Sequence, residues 1–524
     1  MEAVNNIIPS LFCSSAHLEY FEQGQLKKQP FHLIYQDVAA CVLFFHEQKF
    51  SPQTRIGIIG TNSYEFVVID LACIAAGLVS VPFDPNGKYN YATLKKEYDL
   101  KVICTNIVSD EEPRATVFSF DLLKFKSVKI FHPIKSYQFD PNDILTIKFT
   151  SGSTQIPKAI EAKVKSANAT IISVQNLFCH SSTDKILVFL PLHLLQQRYW
   201  IYSAILYNFD IILSSSVSVM RAIKESKPTV IMGVPFFYEN MKTRFLLKNN
   251  ESALNRLKLF FYLLFRKITI QWTTRSFIYA PFKDFWGGNI RYFWTGSAPS
   301  REDTLTFYQW MGIPLFQGYG MNETCIVSKN YFKNNKIGSV GKLLPNIEIK
   351  FDESSQILIR NINEVNDKYF KSNEEDNKNT FSNGYVITGD LGYMDQDSYL
   401  FISGRRKELI VLSSGKKINP TKIENLLRKS DLVSNCMIFA PDSLFLAALI
   451  EPSSKKISKM EIKNFLEEIN GGLLPEERIF RFSLIDEPFS IENGMLTSQY
   501  KLKRDSIMKK YAGQVKALDS EVHI

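Results

Sequence analysis

A dense group of hydroxyl-bearing residues lies between two apolar stretches in the first third of the sequence. The group follows the β-like run at 145–149 and consists of Thr150, Ser151, Gly152, Ser153 and Thr154, with Lys158 behind it. Hydroxyls, backbone N–H groups and a lysine packed this closely form a natural cradle for polyphosphate. It is not a Walker A loop, because Pro157 replaces the glycine before the lysine and no Ser or Thr follows. Alone, the pattern favours phosphate binding and leaves a Ser/Thr-rich hairpin turn as the alternative.

Five further motifs, rich in glycine and charged residues, follow this segment. In chain order they are residues 296–299 (GSAP), 317–323 (QGYGMNE), 388–390 (TGD), 403–424 (beginning SGRRKELI) and 493–504 (NGMLTSQYKLKR). Together with residues 150–158, they resemble the ordered motifs of the adenylate-forming superfamily, which includes acyl-CoA synthetases, luciferases and peptide-synthetase adenylation domains. The resemblance spans about residues 35–510. It implies an enzyme that joins a carboxylic acid to the AMP part of ATP.

The resemblance also implies roles for individual residues. Attack of a carboxylate on the α-phosphorus brings two anions together, so such an enzyme mainly positions groups and neutralises charge. Contacts to the β- and γ-phosphates are implied for Thr150, Ser151, Gly152, Ser153, Thr154 and Lys158, and adenine-side contacts for Gly296, Ser297, Ala298, Pro299, Gly318 and Gly320. Tyr319 would stack on adenine, and Asp390 would accept the ribose hydroxyls. Glu323 would hold Mg²⁺, a cation that prefers oxygen ligands, and Arg405 would contact ribose or phosphate oxygens.

The last two motifs imply a mobile C-terminal domain. Lys501 would be the catalytic cation between the acid's carboxylate and the α-phosphate, and its surroundings also allow a solvated lysine in a basic tail. Lys407 matches the family's hinge, where a few residues absorb a domain rotation. After that rotation, Gly415 would let the pantetheine arm of CoA pass closely, since glycine has no Cβ.

Three positions depart from the family pattern. Gln155 replaces a glycine in the phosphate loop and would be strained if that position needs a positive φ. Asn322 replaces a threonine that contacts the α-phosphate, and its amide can still donate. Leu194 occupies the place of a gating histidine, with His193 one position earlier. These departures leave a catalytically impaired nucleotide-binding homologue open as an alternative.

Two segments bear on the substrate. Residues 190–198 (LPLHLLQQR) and 233–238 (GVPFFY) are similar to segments of long-chain acyl-CoA synthetases, and the first lacks the Asp with which peptide-synthetase relatives hold an amino group. We therefore predict an ATP-dependent ligase that joins a simple carboxylic acid, a fatty acid, to CoA. Phe236, Phe237 and Tyr238 would line an apolar slot or belong to an ordinary core. An alternative acceptor is the phosphopantetheine arm of an acidic acyl carrier protein, which would suit the basic terminal domain.

The elements that must position these residues follow a strand–helix–strand order. Residues 55–83 read as strand, helix and strand, which is typical of a parallel sheet. We predict an α/β fold with a large N-terminal domain of layered α/β subdomains at 1–403 and a small mobile α+β domain at 404–524. Residues 361–383 are polar and predict a solvated surface loop. Residues 256–268 predict a buried helix, with an interfacial membrane helix as the alternative.

Composition and charge exclude several classes of protein. The chain has 524 residues, 45% of them hydrophobic and 22% charged, which excludes a disordered or collagen-like protein. A net charge of +9 suits phosphorylated ligands without the dense basic signature of a nucleic-acid binder. Seven scattered cysteines without a CxxC pair predict reduced thiols in a cytoplasmic protein and no zinc site. No signal peptide or membrane span is predicted.

Overall fold

The computed structural model describes residues 2–107, 117–120, 134–150, 158–250, 255–260, 262, 279–362, 368–497 and 500–520. Residues 151–157 are outside this set. The predicted contacts of Ser151, Gly152, Ser153 and Thr154, and the predicted strain at Gln155, therefore lie outside the described residues.

Strands and helices alternate through the first 300 residues. The strands are β1 (His17–Glu22), β2 (Gln25–Pro30), β3 (Arg55–Ile59), β4 (Val79–Phe83), β5 (Leu100–Thr105), β6 (Val117–Ser119), β7 (Ile144–Phe149), β8 (Ala159–Lys163), β9 (Lys185–Val188), β10 (Asp210–Leu213), β11 (Val230–Gly233) and β12 (Tyr292–Thr295). The helices are α1 (Ala3–Cys13), α2 (Phe31–Glu47), α3 (Tyr64–Ala76), α4 (Tyr91–Tyr98), α5 (Val164–Phe178), α6 (Leu195–Tyr207), α7 (Val219–Ser226), α8 (Pro235–Asn250) and α9 (Ala280–Phe285). Residues 255–260 are also helical.

Strands dominate from residue 300 to 405, and a smaller α/β arrangement follows. The strands are β13 (Leu315–Met321), β14 (Cys325–Lys329), β15 (Lys342–Leu343), β16 (Ile347–Phe351), β17 (Gln356–Asn361), β18 (Phe381–Ser382), β19 (Tyr385–Met394), β20 (Leu400–Arg405), β21 (Ile410–Val411), β22 (Lys417–Ile418), β23 (Val433–Phe439), β24 (Leu446–Pro452) and β25 (Ile479–Leu484). The helices are α10 (Glu302–Trp310), α11 (Glu374–Thr380), α12 (Pro420–Leu427), α13 (Lys459–Gly471), α14 (Arg504–Lys510) and α15 (Ala512–Ser520).

Two mainly parallel sheets carry the N-terminal part of the chain. One has the order β6-β5-β3-β4-β7-β8, and the other has the order β15-β14-β13-β12-β11-β9-β10-β1-β2. The largest apolar cluster contains residues from both sheets and from α1, α2, α3, α5 and α6. Local signals agree with these elements: Ser63 caps α3 by accepting from the Phe66 N–H, and Gly77 ends it with a φ of 70°. The predicted α/β fold class is confirmed.

A third sheet is antiparallel and pairs two of the predicted motifs. It has the order β16-β17-β19-β18, with β20 paired to β19, and its register sets Asp390 opposite Arg405. The prediction of a surface loop at 361–383 is wrong for residues 374–382. They form α11, capped by the Asn373 side chain, and then β18. Three acidic residues in the first turn explain the helix, because carboxylates there favour the helix dipole.

The C-terminal part has its own sheet and apolar core. Strands β23, β24 and β25 pair in that order, and a separate apolar cluster joins them to α12 and α13. Strand β20 ends at Arg405 and so runs across the predicted boundary between residues 403 and 404. That boundary stays a prediction.

The predicted helix at 256–268 is described only at 255–260 and 262. Leu259 is buried there, whereas Leu257 is 52% exposed, so Leu257 does not belong to the predicted buried face. None of the helices in the described part of the chain is long and apolar enough to cross a membrane. All seven cysteines are free, and four of them are buried. Within the described part of the chain, no group of three or more His, Cys, Asp or Glu side chains could hold a metal ion.

Candidate active site

The base of the predicted phosphate loop is a β-hairpin. Strands β7 and β8 are antiparallel, and Thr150 and Lys158 face each other where the loop leaves them. The Thr150 N–H donates to the Lys158 carbonyl at 2.8 Å, and the Lys158 N–H donates to Thr150 Oγ1 at 3.0 Å. These two bonds fix the ends of the segment that the sequence assigns to phosphate binding.

Lys158 is held by a segment that the sequence analysis did not assign to the site. Its Nζ lies 2.9 Å from Asp376 Oδ1 on α11 and 4.8 Å from the centre of the Tyr369 ring. The hydrogen bond from Lys158 lowers the pKa of Asp376, and Lys407 adds a weaker effect in the same direction. An ammonium in this position can meet a phosphate only by exchanging or sharing its carboxylate partner.

Glu323 lies in the turn between β13 and β14 and is 5% exposed. The Tyr369 hydroxyl donates to Glu323 Oε1 at 2.8 Å, and burial together with this carboxylate raises the pKa of Tyr369. Tyr369 therefore contacts both Glu323 and Lys158. A single buried carboxylate fits the Mg²⁺ that accompanies ATP, because that cation completes its shell with phosphate oxygens and water.

Asn322 connects the same turn to the phosphate hairpin. Its Nδ2 donates to the Phe149 carbonyl at 2.8 Å, and Lys148 Nζ donates to the Asn322 carbonyl at 2.5 Å. The amide expected to contact the α-phosphate is thus engaged with the last residue of β7. Lys148 is buried and was not predicted; its position on β7 gave no signal beyond a lysine in an apolar strand.

Two glycines let the backbone of β13 pass through a crowded region. A Cβ on Gly318 would lie 2.5 Å from the Trp294 ring, and one on Gly320 would lie 2.2 Å from the Cys325 carbonyl oxygen. Gly296 also faces the Trp294 ring, and Ser297 beside it has a φ of 70°. Ala298 and Pro299 continue this segment toward α10. The GSAP and YG motifs therefore meet around one tryptophan.

Asp390 is the most completely bonded carboxylate of the site. It is 3% exposed, its Oδ2 accepts from the Tyr319 hydroxyl at 2.6 Å, and its Oδ1 accepts from Arg405 Nε at 2.8 Å. Burial and Asp390 raise the pKa of Tyr319. Both oxygens predicted to accept the ribose hydroxyls already have donors from the protein.

Lys501, in the C-terminal part of the chain, interacts electrostatically with this group. Its pKa falls to about 8, because burial and the neighbouring Arg405 oppose its charge more than Asp390, Glu408 and Glu323 favour it. The Thr497 N–H donates to the Lys501 carbonyl, and the Lys501 N–H donates to Thr497 Oγ1. Lys501 is partly buried, and its catalytic role stays a prediction.

Two further contacts fix the approach of Lys501. The Tyr500 ring stacks on Phe236 with a centroid separation of 4.7 Å. Arg504 forms a bidentate pair with Glu424 on α12, with both N–O distances at 2.8 Å, and Glu424 also accepts from the Ile438 N–H. The lysine is therefore tied to the core of the C-terminal part.

The remaining predicted residues lie elsewhere. Lys407 is exposed in the short turn at Arg406–Glu408 that follows β20. Gly415 lies between β21 and β22 with a φ of 78°, and a Cβ there would meet nothing within 4 Å. Its backbone conformation requires glycine, whereas no close approach within the described chain does.

Two of the three aromatics considered for an apolar slot or an ordinary core belong to a core. Phe237 and Tyr238 are buried in the second apolar cluster, and the Tyr238 hydroxyl donates to the Ile231 and Trp294 carbonyls. Leu194 instead lines a small cavity beside Gly296 and Ser297. His193 is buried, and burial lowers its pKa.

Comparison with known proteins agrees with this arrangement. The model of the AMP-binding enzymes matches residues 31–359, and that of the AMP-binding enzyme C-terminal domain matches residues 407–522. The chain belongs to the AMP-binding enzyme family. This assignment confirms the predicted class, an AMP-forming acid–thiol ligase of the acyl-CoA synthetase type.

Relatives of this AMP-binding enzyme include long-chain-fatty-acid–CoA ligase FadD15 of Mycobacterium bovis, which is 26% identical over 424 residues, covering 72% of this chain and 69% of its own. Fatty acyl-CoA synthetase B of Dictyostelium discoideum is 25% identical over 91% of this chain and 83% of its own.

Solved structures show the same fold. O-succinylbenzoate CoA synthetase of Bacillus subtilis, in complex with its acyl-adenylate, has a TM-score of 0.74 at 20% identity over 96% of this chain and 97% of its own. ATP-bound MatB of Rhodopseudomonas palustris has a TM-score of 0.76 at 18% identity over 98% of this chain and 100% of its own.

Proposed function

We propose that this AMP-binding enzyme activates a fatty acid as acyl-AMP and then transfers the acyl group to CoA. The gathering of Tyr319 and Arg405 on Asp390 carries the proposal, because these are residues expected to hold ATP, and Lys501 interacts electrostatically with the same group. The names of the relatives, which are fatty-acid–CoA ligases, support a fatty acid and CoA as the co-substrates.

In the first half-reaction, a carboxylate oxygen of the acid attacks the α-phosphorus. The bond from that phosphorus to the β-phosphate oxygen breaks, and pyrophosphate leaves. Lys501 offsets the repulsion between the two anions, and Lys158 binds the departing phosphates. Asp390 orients the ribose, so that the α-phosphate faces the acid. Positioned charges of this kind act in a site largely closed to water, where they are worth most.

In the second half-reaction, the CoA thiolate attacks the acyl carbon and AMP leaves. We propose that Lys407 serves as the hinge that withdraws Lys501 before this step, and that Gly415 then borders the pantetheine arm. The exposed backbone at both positions supports these roles, since a hinge and a thiol path each need open space.

Acid-dependent exchange of labelled pyrophosphate into ATP, measured across a panel of acids, tests the first half-reaction. Exchange should require the acid, and Lys501→Ala should lower it by about 100- to 1,000-fold. Lys509→Ala is the matched control, because Lys509 is an exposed lysine of the same segment. ATP binding without exchange for every acid would instead support the impaired homologue.

The same variants separate the two half-reactions. Lys501→Ala should still transfer the acyl group from pre-made acyl-AMP to CoA, and an equal loss of both steps would contradict its role. Product analysis with CoA or with a purified acyl carrier protein identifies the acceptor. Thioester formed only on the carrier protein would refute CoA as the second substrate.

A further inference from the structure

Two groups that the sequence assigns to ATP and its metal ion contact the same side chain. The Tyr369 hydroxyl donates to Glu323 Oε1 at 2.8 Å, and Lys158 Nζ lies 4.8 Å from the centre of the Tyr369 ring. Tyr369 is 7% exposed and Glu323 is 5% exposed, so their bond lies in the interior. One tyrosine therefore contacts both the carboxylate predicted for Mg²⁺ and the lysine predicted for the phosphates.

The two contacts use different parts of the tyrosine and are compatible with a bound nucleotide. A carboxylate has about four acceptor positions and the tyrosine hydroxyl takes one of them, so this bond does not exclude a cation. The face of an aromatic ring attracts an ammonium without using its N–H groups, which can then donate to phosphate oxygens. Asp376 differs in this respect, because its carboxylate takes up the Lys158 ammonium directly. The contacts of Tyr369 can therefore persist when ATP and its metal ion bind.

The backbone around Tyr369 is fixed to the phosphate hairpin. The Tyr369 N–H donates to Asn377 Oδ1 on α11 at 2.8 Å. The N–H of the next residue, Phe370, donates at 2.8 Å to the carbonyl of Ala159, which directly follows Lys158. The tyrosine is thus held beside the lysine by the main chain as well as by its ring. A side chain held in this way can keep the groups that it contacts in a set arrangement.

We propose that Tyr369 is a positioning residue that fixes the Glu323 carboxylate relative to the Lys158 ammonium, so that the site prefers ATP carrying Mg²⁺ over metal-free ATP. This inference rests on the proposed function, because it takes ATP as the nucleotide that binds here. The hydroxyl accounts for the metal preference, since a hydrogen bond to a metal-binding carboxylate sets its orientation. The ring accounts for the position of Lys158, which meets the phosphates with or without the metal.

Tyr369→Phe tests the hydroxyl, because it keeps the ring beside Lys158 and against Phe381, whose ring centroid is 5.3 Å away. Calorimetry gives the Kd of the α,β-methylene analogue of ATP in excess Mg²⁺ and in EDTA, with no acid present. The Kd in Mg²⁺ should rise by about tenfold or more, since partners of this kind are usually worth 10- to 100-fold in metal affinity. The Kd in EDTA should stay unchanged. Equal changes in both conditions, or a change in neither, would overturn the proposal.

Tyr369→Leu removes the ring as well as the hydroxyl. It should show the same loss in Mg²⁺ and should also raise the Kd in EDTA by about two- to fivefold, because Lys158 loses its aromatic neighbour. Melting temperatures establish that both variants are folded. An unchanged Kd in EDTA for Tyr369→Leu would overturn the role given to the ring.

Tyr64→Phe is the matched control. It removes the same kind of bond, from a tyrosine hydroxyl to the carboxylate of Asp37 on α2, and neither residue belongs to a predicted motif. The ratio of the two Kd values should stay at its wild-type level. A fall equal to that of Tyr369→Phe would indicate a general effect on the fold and would overturn the assignment.

The outcomes distinguish this inference from the proposed function. A wild-type protein that binds the ATP analogue in neither condition would refute the proposed function. Binding by the wild type without a preference for Mg²⁺, or a preference that survives in Tyr369→Phe, would refute the role of Tyr369 alone. Since no acid is present, the result does not depend on which acid the enzyme activates.

Discussion

The nucleotide side of the site and the interior at α6 and β12 differ in how their polar groups are paired. On the nucleotide side, Lys158 pairs with Asp376, Glu323 accepts from Tyr369, and Asp390 accepts from Tyr319 and Arg405. In that interior, Trp200, Trp294 and Gln197 carry buried polar atoms that lack partners among the described residues.

This difference has a thermodynamic consequence. A nucleotide must exchange or share bonds that the protein already makes, so each new contact adds little net free energy. A buried polar group without a partner is instead a cost to the folded state. The first arrangement holds the charged groups in order before ATP arrives. The following changes test that contrast, from the largest expected effect to the smallest.

Replacing Asp390 should have the largest effect. Asp390→Ala removes a buried carboxylate and leaves Arg405 and Tyr319 without their acceptor. Because hydrogen bonds to charged groups contribute about 1.5–3 kcal/mol each, kcat/KM for ATP should fall by about 100-fold or more. Steady-state kinetics with ATP varied would measure this. Asp397→Ala, at an exposed carboxylate just beyond β19, should change little, and a similar loss there would argue against a specific role.

The pH dependence of the first half-reaction should report Lys501. Its pKa of about 8 means that the ammonium is present below that pH and is lost as the pH rises through it. The kcat/KM for ATP should therefore fall above pH 8, approaching a tenfold loss per pH unit, because this parameter follows the free enzyme. Lys501→Ala should lack this fall. A profile that stays flat to pH 10 would show that the charge on Lys501 is not required.

Releasing Lys158 from its carboxylate should have the smallest effect. Asp376→Asn removes a competitor for the ammonium and a negative charge near the phosphates, so ATP should bind more tightly. Exposed ion pairs contribute about 0.2–1 kcal/mol, which corresponds to about 1.4- to fivefold in Kd, measured by calorimetry.

Glu375→Gln is the matched control for that change, because Glu375 is an exposed carboxylate of the same helix. An equal gain in both variants would indicate a general charge effect. Weaker ATP binding in Asp376→Asn would mean that the carboxylate positions Lys158 instead of competing for it.

The sequence predicted the fold class and the residues that assemble at Asp390, because both depend on local patterns. Strand and helix periodicity is local, and the TGD and GRRKE segments face each other through the register of one strand pair. The partners Tyr369 and Asp376 were missed, since a highly charged segment is typical of a solvated loop. Their contacts with Lys158 join positions more than 200 residues apart along the chain, and composition carries no information about such pairs.

The role of Trp294 could not be predicted from the sequence for a similar reason. The aromatic residues at 236–238 allowed either an apolar slot or an ordinary core, and Phe237 and Tyr238 are buried in a core. Trp294 lies on β12 directly before the GSAP motif, and side-chain alternation decides which of its neighbours faces the core. The sequence does not state which face the cavity occupies, so the tryptophan could not be singled out.

The bidentate pair between Arg504 and Glu424 determines what moves with the ammonium of Lys501. Glu424 also accepts from the backbone of β23 in the C-terminal sheet, so the lysine is attached to a rigid body and not to an independent flexible tail. Any rotation of that body would withdraw the positive charge and vacate the space above the acyl phosphate in one motion. Turning off the first chemical step and admitting the second substrate would then be a single event.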